Sequence, residues 1–458
     1  METKKNKRST FSGKIGFVLS AAGASVGLGN IWRFPYLAAK YGGGIFLLIY
    51  ILLALTFGYT MIVAESALGR MTRKSPVGAF KAFGKKAGWL SFGGWINAII
   101  PVLIVPYYSV IGGWVIKYLI EYVKGNGTKL AADGYFSEFI SNGASTEICF
   151  VIFCLFTLSI IYAGVRNGIE RVSKFMMPIL VVLSVIIAIY SVTRPGAIEG
   201  VKYFLVPNLK NFSWMTVVAA MGQMFYSLSI AMGILVTFGS YMRKDTSIED
   251  STRNVEIFDT AIAMMAGLMI IPAVFAFSGG DPDTLQAGPS LMFITIPKVF
   301  ANMGFGTAVG ILFFVLVLFA AVTSSIALTE SAVSTFEDEL GWGRKKATVL
   351  TGVIMITLGT LSCLGYGPLD FVKIIGMQFL DFFDFLTNSV MMPIAALMTS
   401  LLVSRVIGVD KIEEEIRHGE STFRRKKIFV VMIKYLCPIF ALIILASSVA
   451  NAFGWIAM

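Results

Sequence analysis

Asn30 and Arg33 stand inside an otherwise apolar stretch, AAGASVGLGNIWRFPY, together with Gly23, Gly27 and Gly29. Glycine in a helix interior costs roughly 1 kcal/mol against alanine, so three this close together read as an interruption. A helix broken within a bilayer frees carbonyl oxygens that can coordinate a hard cation. The positive end of its second half can hold a carboxylate. The alternative is a packing face, because small residues let neighbouring helices approach. Further oxygen side chains recur in other apolar runs: Gln223, Ser227 and Ser229 in GQMFYSLSIAMG, Thr323, Ser324 and Ser325 in LFAAVTSSIALTES, and Asp259 in EIFDTAIAMMAGL. Such hydroxyls often bond the carbonyl one turn back, so the ion-site reading rests on pairing them with the broken helix. Asp259 is an intramembrane carboxylate without a sequence-local cation, which makes it a functional candidate. Glu65 and Asp384 are further deep or near-interface acids, and Asp384 is a candidate partner for Arg33. Tyr107 and Tyr108 lie well inside their run, beside a kink expected at Pro106.

The elements that must position these groups follow from composition. Of 458 residues, 56% are hydrophobic and only 14% charged, well under the roughly 25% charged of a soluble domain. Runs long enough to cross about 30 Å of hydrocarbon are expected near 13–36, 43–69, 88–122, 147–165, 170–193, 212–241, 255–279, 305–338, 346–364, 371–403 and 426–456. Backbone in lipid must bond within its own segment, so these are helices. The chain reads as one all-α polytopic membrane domain of about eleven transmembrane helices, with a charged start running into the first span and no cleavable signal. The turn-rich segment from Gly279 to Ser290 is expected to form a short hairpin dipping into an outer vestibule.

The net charge of +11 reports topology here and not nucleic-acid binding. Arg70, Arg73 and Lys74, then Arg166 and Arg171, Arg243 and Lys244, Arg344 to Lys346, and Arg424 to Lys427 all fall on one side. By the positive-inside rule the N-terminus is cytoplasmic, and an odd helix count puts the C-terminus outside. Four cysteines in apolar runs and one histidine, His418, in a charged loop leave no donor set for a histidine-based catalytic centre or transition-metal site. The two glycine-interrupted spans, first and sixth, would open the two halves of a five-plus-five arrangement with a site between them.

GASVGLGNIWRFPY, the YY pair, GQMFYSLS, the TSS triplet and FEDEL, in that order over essentially the whole chain, resemble the neurotransmitter:sodium symporter family, in particular its bacterial eleven-helix amino acid transporters. The resemblance implies a five-plus-five inverted repeat with discontinuous first and sixth helices. Its repeats would span about 13–193 and 212–403, with an additional helix at about 426–456. It implies two sodium sites. One takes the carbonyls of Gly23, Val26 and Ala320 and the hydroxyls of Thr323 and Ser324. The other takes the Ser25 carbonyl, Asn30, Ser227, Asp259 and the substrate carboxylate. That carboxylate would also meet Tyr108 and the N–H groups around Leu28 and Gly29. Ala24, Ile104, Tyr226, Ser229, Met232 and Leu328 would line the side-chain pocket, beside Ser25, Ser227 and Ser324. Arg33 and Asp384 resemble an outer gate with Gln223 beside it and Tyr226 as lid. Arg8 and Asp338 resemble the cytoplasmic gate, with Phe11 where the family usually has tryptophan.

Two departures carry expectations. Chloride-dependent members have a neutral residue where Asp259 stands and bind chloride through groups matching Tyr50, Gln223 and Ser227. Asp259 would supply that charge, so no chloride requirement is expected. The chain also stops after an eleventh helix where many members have about twelve, which puts any dimer contact on the missing helix in doubt; a monomer or weak homodimer is expected. With no spare acid for a substrate amine, and with Met232 flexible, the expected substrate is a neutral hydrophobic or aromatic α-amino acid, carried into the cell with sodium across a bacterial-type plasma membrane. A channel would need a continuous polar path or filter ring. An intramembrane enzyme would need more than Asp381 and Asp384 on one helix. A transport-inactive amino acid sensor or an ion channel on the same fold is the alternative.

Overall fold

The computed structural model describes residues 9–279 and 289–455. Among the described residues nine helices are long and apolar enough to cross a bilayer: Gly44–Thr72, Gly88–Val123, Gly143–Tyr162, Val165–Val192, Ile248–Ser278, Gly306–Leu340, Arg344–Leu364, Phe379–Ile407 and Lys426–Ala452. Two more crossings are broken pairs. Lys14–Ser25 and Gly29–Lys40 meet at a bend of 54°, and Trp214–Ser227 is followed by Ile234–Tyr241. In chain order these pairs are spans one and six, so each set of five opens on a broken helix.

Both breaks have a local cause. Val26 leaves the helix with φ −75° and ψ 90°, and Gly29–Arg33 resumes as a π-helical turn. In span six the backbone turns left-handed at Ser229, Ala231 and Gly233, with φ of 53°, 60° and 69°. Two of these carry side chains, and a left-handed non-glycine residue costs roughly 1–2 kcal/mol. Something else must hold them there.

Span ten starts later than the expected 371. Phe371 and Ile375 extend the apolar run but are exposed in a loop, where Ile375 and Gly376 take φ of 53° and 77° and Ile374 bridges Met377. Span seven starts earlier than 255, because Ser247 accepts the Asp250 N–H and places Glu249 and Asp250 in the first turn, where the helix dipole favours them. Of the expected hairpin, only its end is described, as the apolar helix Leu291–Ala301; residues 280–288 lie outside the described residues.

Spans three and eight form the centre, with 78% and 72% of their apolar stretch buried, against 33% for span eleven at the periphery. Long-range ties close the end of the bundle that carries Arg70. The fully buried Arg70 donates from Nε to Glu415 Oε1 at 2.7 Å and from Nη1 to the Thr246 carbonyl at 2.6 Å, and its other amino group donates to the Glu415 carbonyl. Lys244 reaches the same carboxylate at 2.7 Å. Span two, the turn after span six and the short helix Val409–Arg417 are thereby joined.

Candidate functional site

The two breaks face each other and the serines of span eight. Ser324 Oγ lies 3.3, 3.2 and 3.4 Å from the carbonyl oxygens of Gly23, Ala24 and Val26. Thr323 Oγ1 is directed back to Phe319 O at 2.9 Å and Ala320 O at 3.2 Å, while its Cβ would lie 3.2 Å from a Cβ added at Gly23. Ser324 thus gathers the neutral oxygens of Gly23, Ala24 and Val26 around its hydroxyl, with Thr323 packed beside Gly23; neutral oxygens of this kind suit a hard cation. Ser325 turns away, toward Thr157 Oγ1 at 3.4 Å.

A second cluster surrounds Asp259, which is fully buried. Asn30 Nδ2 donates to Oδ1 at 2.8 Å, Tyr50 OH to Oδ2 at 2.8 Å, and Ser227 Oγ to both oxygens at 2.9 and 3.1 Å. Asn30 Oδ1 in turn accepts the Gly27 N–H at 3.2 Å. A buried carboxylate requires such donors, and here they come from spans one, two and six. Gln223 does not join them: its amide donates to the Gly29 carbonyl at 3.1 Å.

Between the clusters lies a cavity of about 30 Å³ lined by Ala24, Ser25, Leu28, Gly29, Asn30, Ile104, Tyr108, Tyr226, Ser229, Met232, Ser324 and Leu328, with Gly27 and Ile234. None of these side chains is charged. The Leu28 N–H donates to Tyr108 OH at 3.2 Å, so a freed helix donor and a phenol meet at its wall. The glycines have steric reasons. A Cβ on Gly27 would lie 2.6 Å from Ser324 Oγ, and one on Gly29 would lie 2.4 Å from the Tyr226 ring. Gly29→Ala is therefore expected to lower stability by about 1–3 kcal/mol through overpacking, read as a reduced thermal midpoint. Gly222→Ala, whose added Cβ meets nothing within 4 Å, is the matched control and should not lower it.

Tyr226 also lines a larger cavity, about 650 Å³, with Arg33, Tyr107, Asp381 and Asp384 among its walls. Its ring is the partition between the two. Arg33 and Asp384 share this cavity but form no ion pair: the guanidinium sits over the Tyr226 ring, 5.2 Å from its centroid, and Asp384 Oδ1 takes Tyr107 OH at 3.2 Å and Asn388 Nδ2 at 2.5 Å. On the opposite side Phe11 is buried against Phe17, Phe238 and Tyr241. The Ser12 N–H donates to Glu170 at 2.9 Å. Asp338 accepts the Ser75 N–H at 2.6 Å; its expected partner Arg8 lies outside the described residues.

The sequence pointed to Glu65 and Ser229 but not to their partners. Glu65 Oε1 accepts the Ala231 N–H at 2.8 Å, and Ser229 Oγ donates to the Ala24 carbonyl at 3.0 Å, which holds the left-handed turn of span six in place. An acid in an apolar helix was visible; its partner, a backbone amide 166 residues away, was not. Ile234 in the cavity wall and the Arg344–Glu330–Tyr241 cluster (2.6 and 2.7 Å) that closes the far side had no signal.

A profile of the sodium:neurotransmitter symporter family matches residues 8–131 and 135–454. An uncharacterised sodium-dependent transporter of Bacillus subtilis, YhdH, is 36% identical over 414 residues, covering 90% of this chain and 91% of the relative. One from Haemophilus influenzae is 33% identical over 463 residues, covering 98% and 100%. The sodium- and chloride-dependent GABA transporter 2 of Homo sapiens is 26% identical over 473 residues, covering 90% and 75%. Among solved structures, MhsT in complex with L-phenylalanine superposes with a TM-score of 0.86 at 34% identity, covering 96% of this chain and all of MhsT.

Proposed function

We infer the function from one premise: this chain belongs to the sodium:neurotransmitter symporter family. It is a sodium-dependent, multi-pass membrane transporter of a small molecule, and not an enzyme. Our proposal is that it carries a neutral hydrophobic or aromatic α-amino acid inward by alternating access. The observation that carries this reading is the placement of Ser324, whose hydroxyl faces three freed carbonyls of span one and also lines the uncharged cavity.

In this reading one sodium ion is bound by Gly23, Val26, Ala320, Thr323 and Ser324. A second is bound by the Ser25 carbonyl, Asn30, Ser227, Asp259 and the substrate carboxylate. The shared carboxylate makes ion and substrate raise each other's affinity. Tyr108 and the N–H groups near Leu28 orient that carboxylate. The uncharged lining argues for a zwitterion over a monoamine, which would want an acid at its amine. The apolar walls Ile104, Ile234, Met232 and Leu328 favour a hydrophobic side chain, in line with the phenylalanine in the MhsT complex. A cavity of 30 Å³ must widen to admit it, and Tyr226 is the wall to move. Arg33 and Asp384, then Arg8 and Asp338, act as outer and cytoplasmic gates in the closed states.

The sodium gradient supplies the work, at about 2.3 kcal/mol per charge per 100 mV for its electrical part. Asp259 stands in for chloride, which is then dispensable. We also propose a cytoplasmic N-terminus and an outer C-terminus in a bacterial-type plasma membrane, repeats over 13–193 and 212–403 with 426–456 added, and a monomer or weak homodimer.

The test is binding of labelled amino acids to purified protein in sodium and in potassium. One hydrophobic amino acid should bind in sodium only. Thr323→Ala should weaken the sodium dependence by about tenfold, the scale of one lost hydrogen-bonding group at a charge. Binding indifferent to sodium would overturn the proposal.

A further inference from the structure

The basic residues at the start of span eleven fall into two sets. Arg424 pairs with Asp250 at 3.3 Å, Arg425 with Glu256 at 3.2 Å and Lys426 with Glu413 at 2.6 Å. The Lys426 ammonium holds the Glu413 carboxyl below the ordinary carboxylate range, with Arg417 assisting and partial desolvation opposing. Lys427, the next residue, has no partner among the described residues and is exposed; so are Lys434 on the same span and Arg405 near the end of span ten. Of the acids on the Val409–Arg417 helix, Glu413 is engaged by Lys426 and Glu415 by Arg70 and Lys244, and among the described residues no ion pair joins the exposed Asp410 or Glu414 to any of the three.

These three charges share a place. Arg405 lies in the π-helical turn Leu402–Ile407 and Lys434 in the π-helical turn Met432–Leu436, and the two turns pack on each other. π-Turns concentrate at functional positions. Lys427 precedes Lys434 by seven residues, two helical turns, and so shares its side of the helix. Lys434 stands about 12 Å along the axis from Lys426 at 1.5 Å per residue. A lysine on the lipid side at that depth is costly unless its ammonium reaches back to an anion or to water. Val431 and Tyr435, beside it, are 50% and 61% exposed, an apolar and aromatic surface suited to acyl chain and glycerol. Only a third of the apolar stretch of this span is buried in protein, so its outer side meets lipid, which an inorganic phosphate does not enter.

The structure assigns to this surface a binding site for an anionic phospholipid of the cytoplasmic leaflet, its phosphate held by Arg405, Lys427 and Lys434 over Val431 and Tyr435. Basic pockets between helices at that leaflet are a known form of headgroup recognition. The site is independent of the substrate reading above and stands or falls without it.

The experiment is native mass spectrometry of the protein released from nanodiscs of phosphatidylcholine containing a minority of phosphatidylglycerol. Arg405→Gln, Lys427→Gln and Lys434→Gln are measured singly and together, and folding is checked by thermal midpoint in detergent. Each single change is expected to reduce phosphatidylglycerol retention by about fivefold, and the triple variant to abolish it. Lys86→Gln, an exposed lysine between spans two and three, should leave retention unchanged. Three outcomes would overturn the assignment: a triple variant retaining lipid like the parent, an equal loss in Lys86→Gln (a diffuse field only), or displacement of the lipid by inorganic phosphate.

Discussion

Asp259→Asn is expected to make substrate binding depend on chloride. In chloride-free medium the variant should lose sodium-dependent affinity by about a hundredfold, and chloride should restore most of it. The size follows from what the carboxylate does. It accepts from Asn30, Tyr50 and Ser227 at 2.8 to 3.1 Å while fully buried, and hydrogen bonds to a charged group are worth roughly 1.5–3 kcal/mol each. Asparagine keeps the volume but removes the charge that, in the proposed ion site, would offset a bound cation, leaving donors that an anion can satisfy. Gln223 is expected to matter little to this exchange, because its amide is committed to the Gly29 carbonyl; Gln223→Leu in the Asp259→Asn background tests that point. Equal affinity of Asp259→Asn with gluconate and with chloride would refute the charge-replacement argument. So would a parent protein that needs chloride.

Arg70→Met should be the most destabilising substitution at its end of the bundle, by about 3–5 kcal/mol, the cost of stranding a buried charge without its partner. Arg70 and Glu415 are 0% and 4% exposed. The methionine variant leaves Glu415 with Lys244 alone and orphans the Thr246 and Glu415 carbonyls. Lys244 remains as a partial neutraliser, so the lower part of that range is expected in thermal unfolding. The double variant Arg70→Met with Glu415→Met should lose less than the sum of the single changes, because the stranded charge disappears. Strict additivity would mean the two side chains do not interact energetically. Because the same arginine ties span two to the turn after broken span six, the single variant should also raise cysteine accessibility at positions introduced behind Phe11.

Much of this protein is decided by local sequence. Hydropathy fixes the spans because backbone in lipid has no partner but itself, and each expected run holds a helix or a broken helix pair among the described residues. The exceptions have reasons that hydropathy does not encode: Phe371 and Ile375 extend an apolar run into a loop that turns at Gly376, and the Ser247 cap starts span seven in polar sequence. The break near Gly27 is also local, since three glycines and Asn30 within one stretch weaken a helix wherever it sits.

What only the tertiary structure decided is which groups meet. Gly29 is needed small because Tyr226 lies over it, Ala231 can turn left-handed because Glu65 takes its N–H, and Arg33 rests on Tyr226 instead of pairing with Asp384. Ser324 finds its carbonyls about 300 positions away, and Arg70 its glutamate 345 away. Periodicity and propensity report on neighbours within a few turns. These contacts are fixed by how whole helices cross and by the demand that each buried charge and freed backbone group find a partner, conditions that exist only once the bundle is assembled.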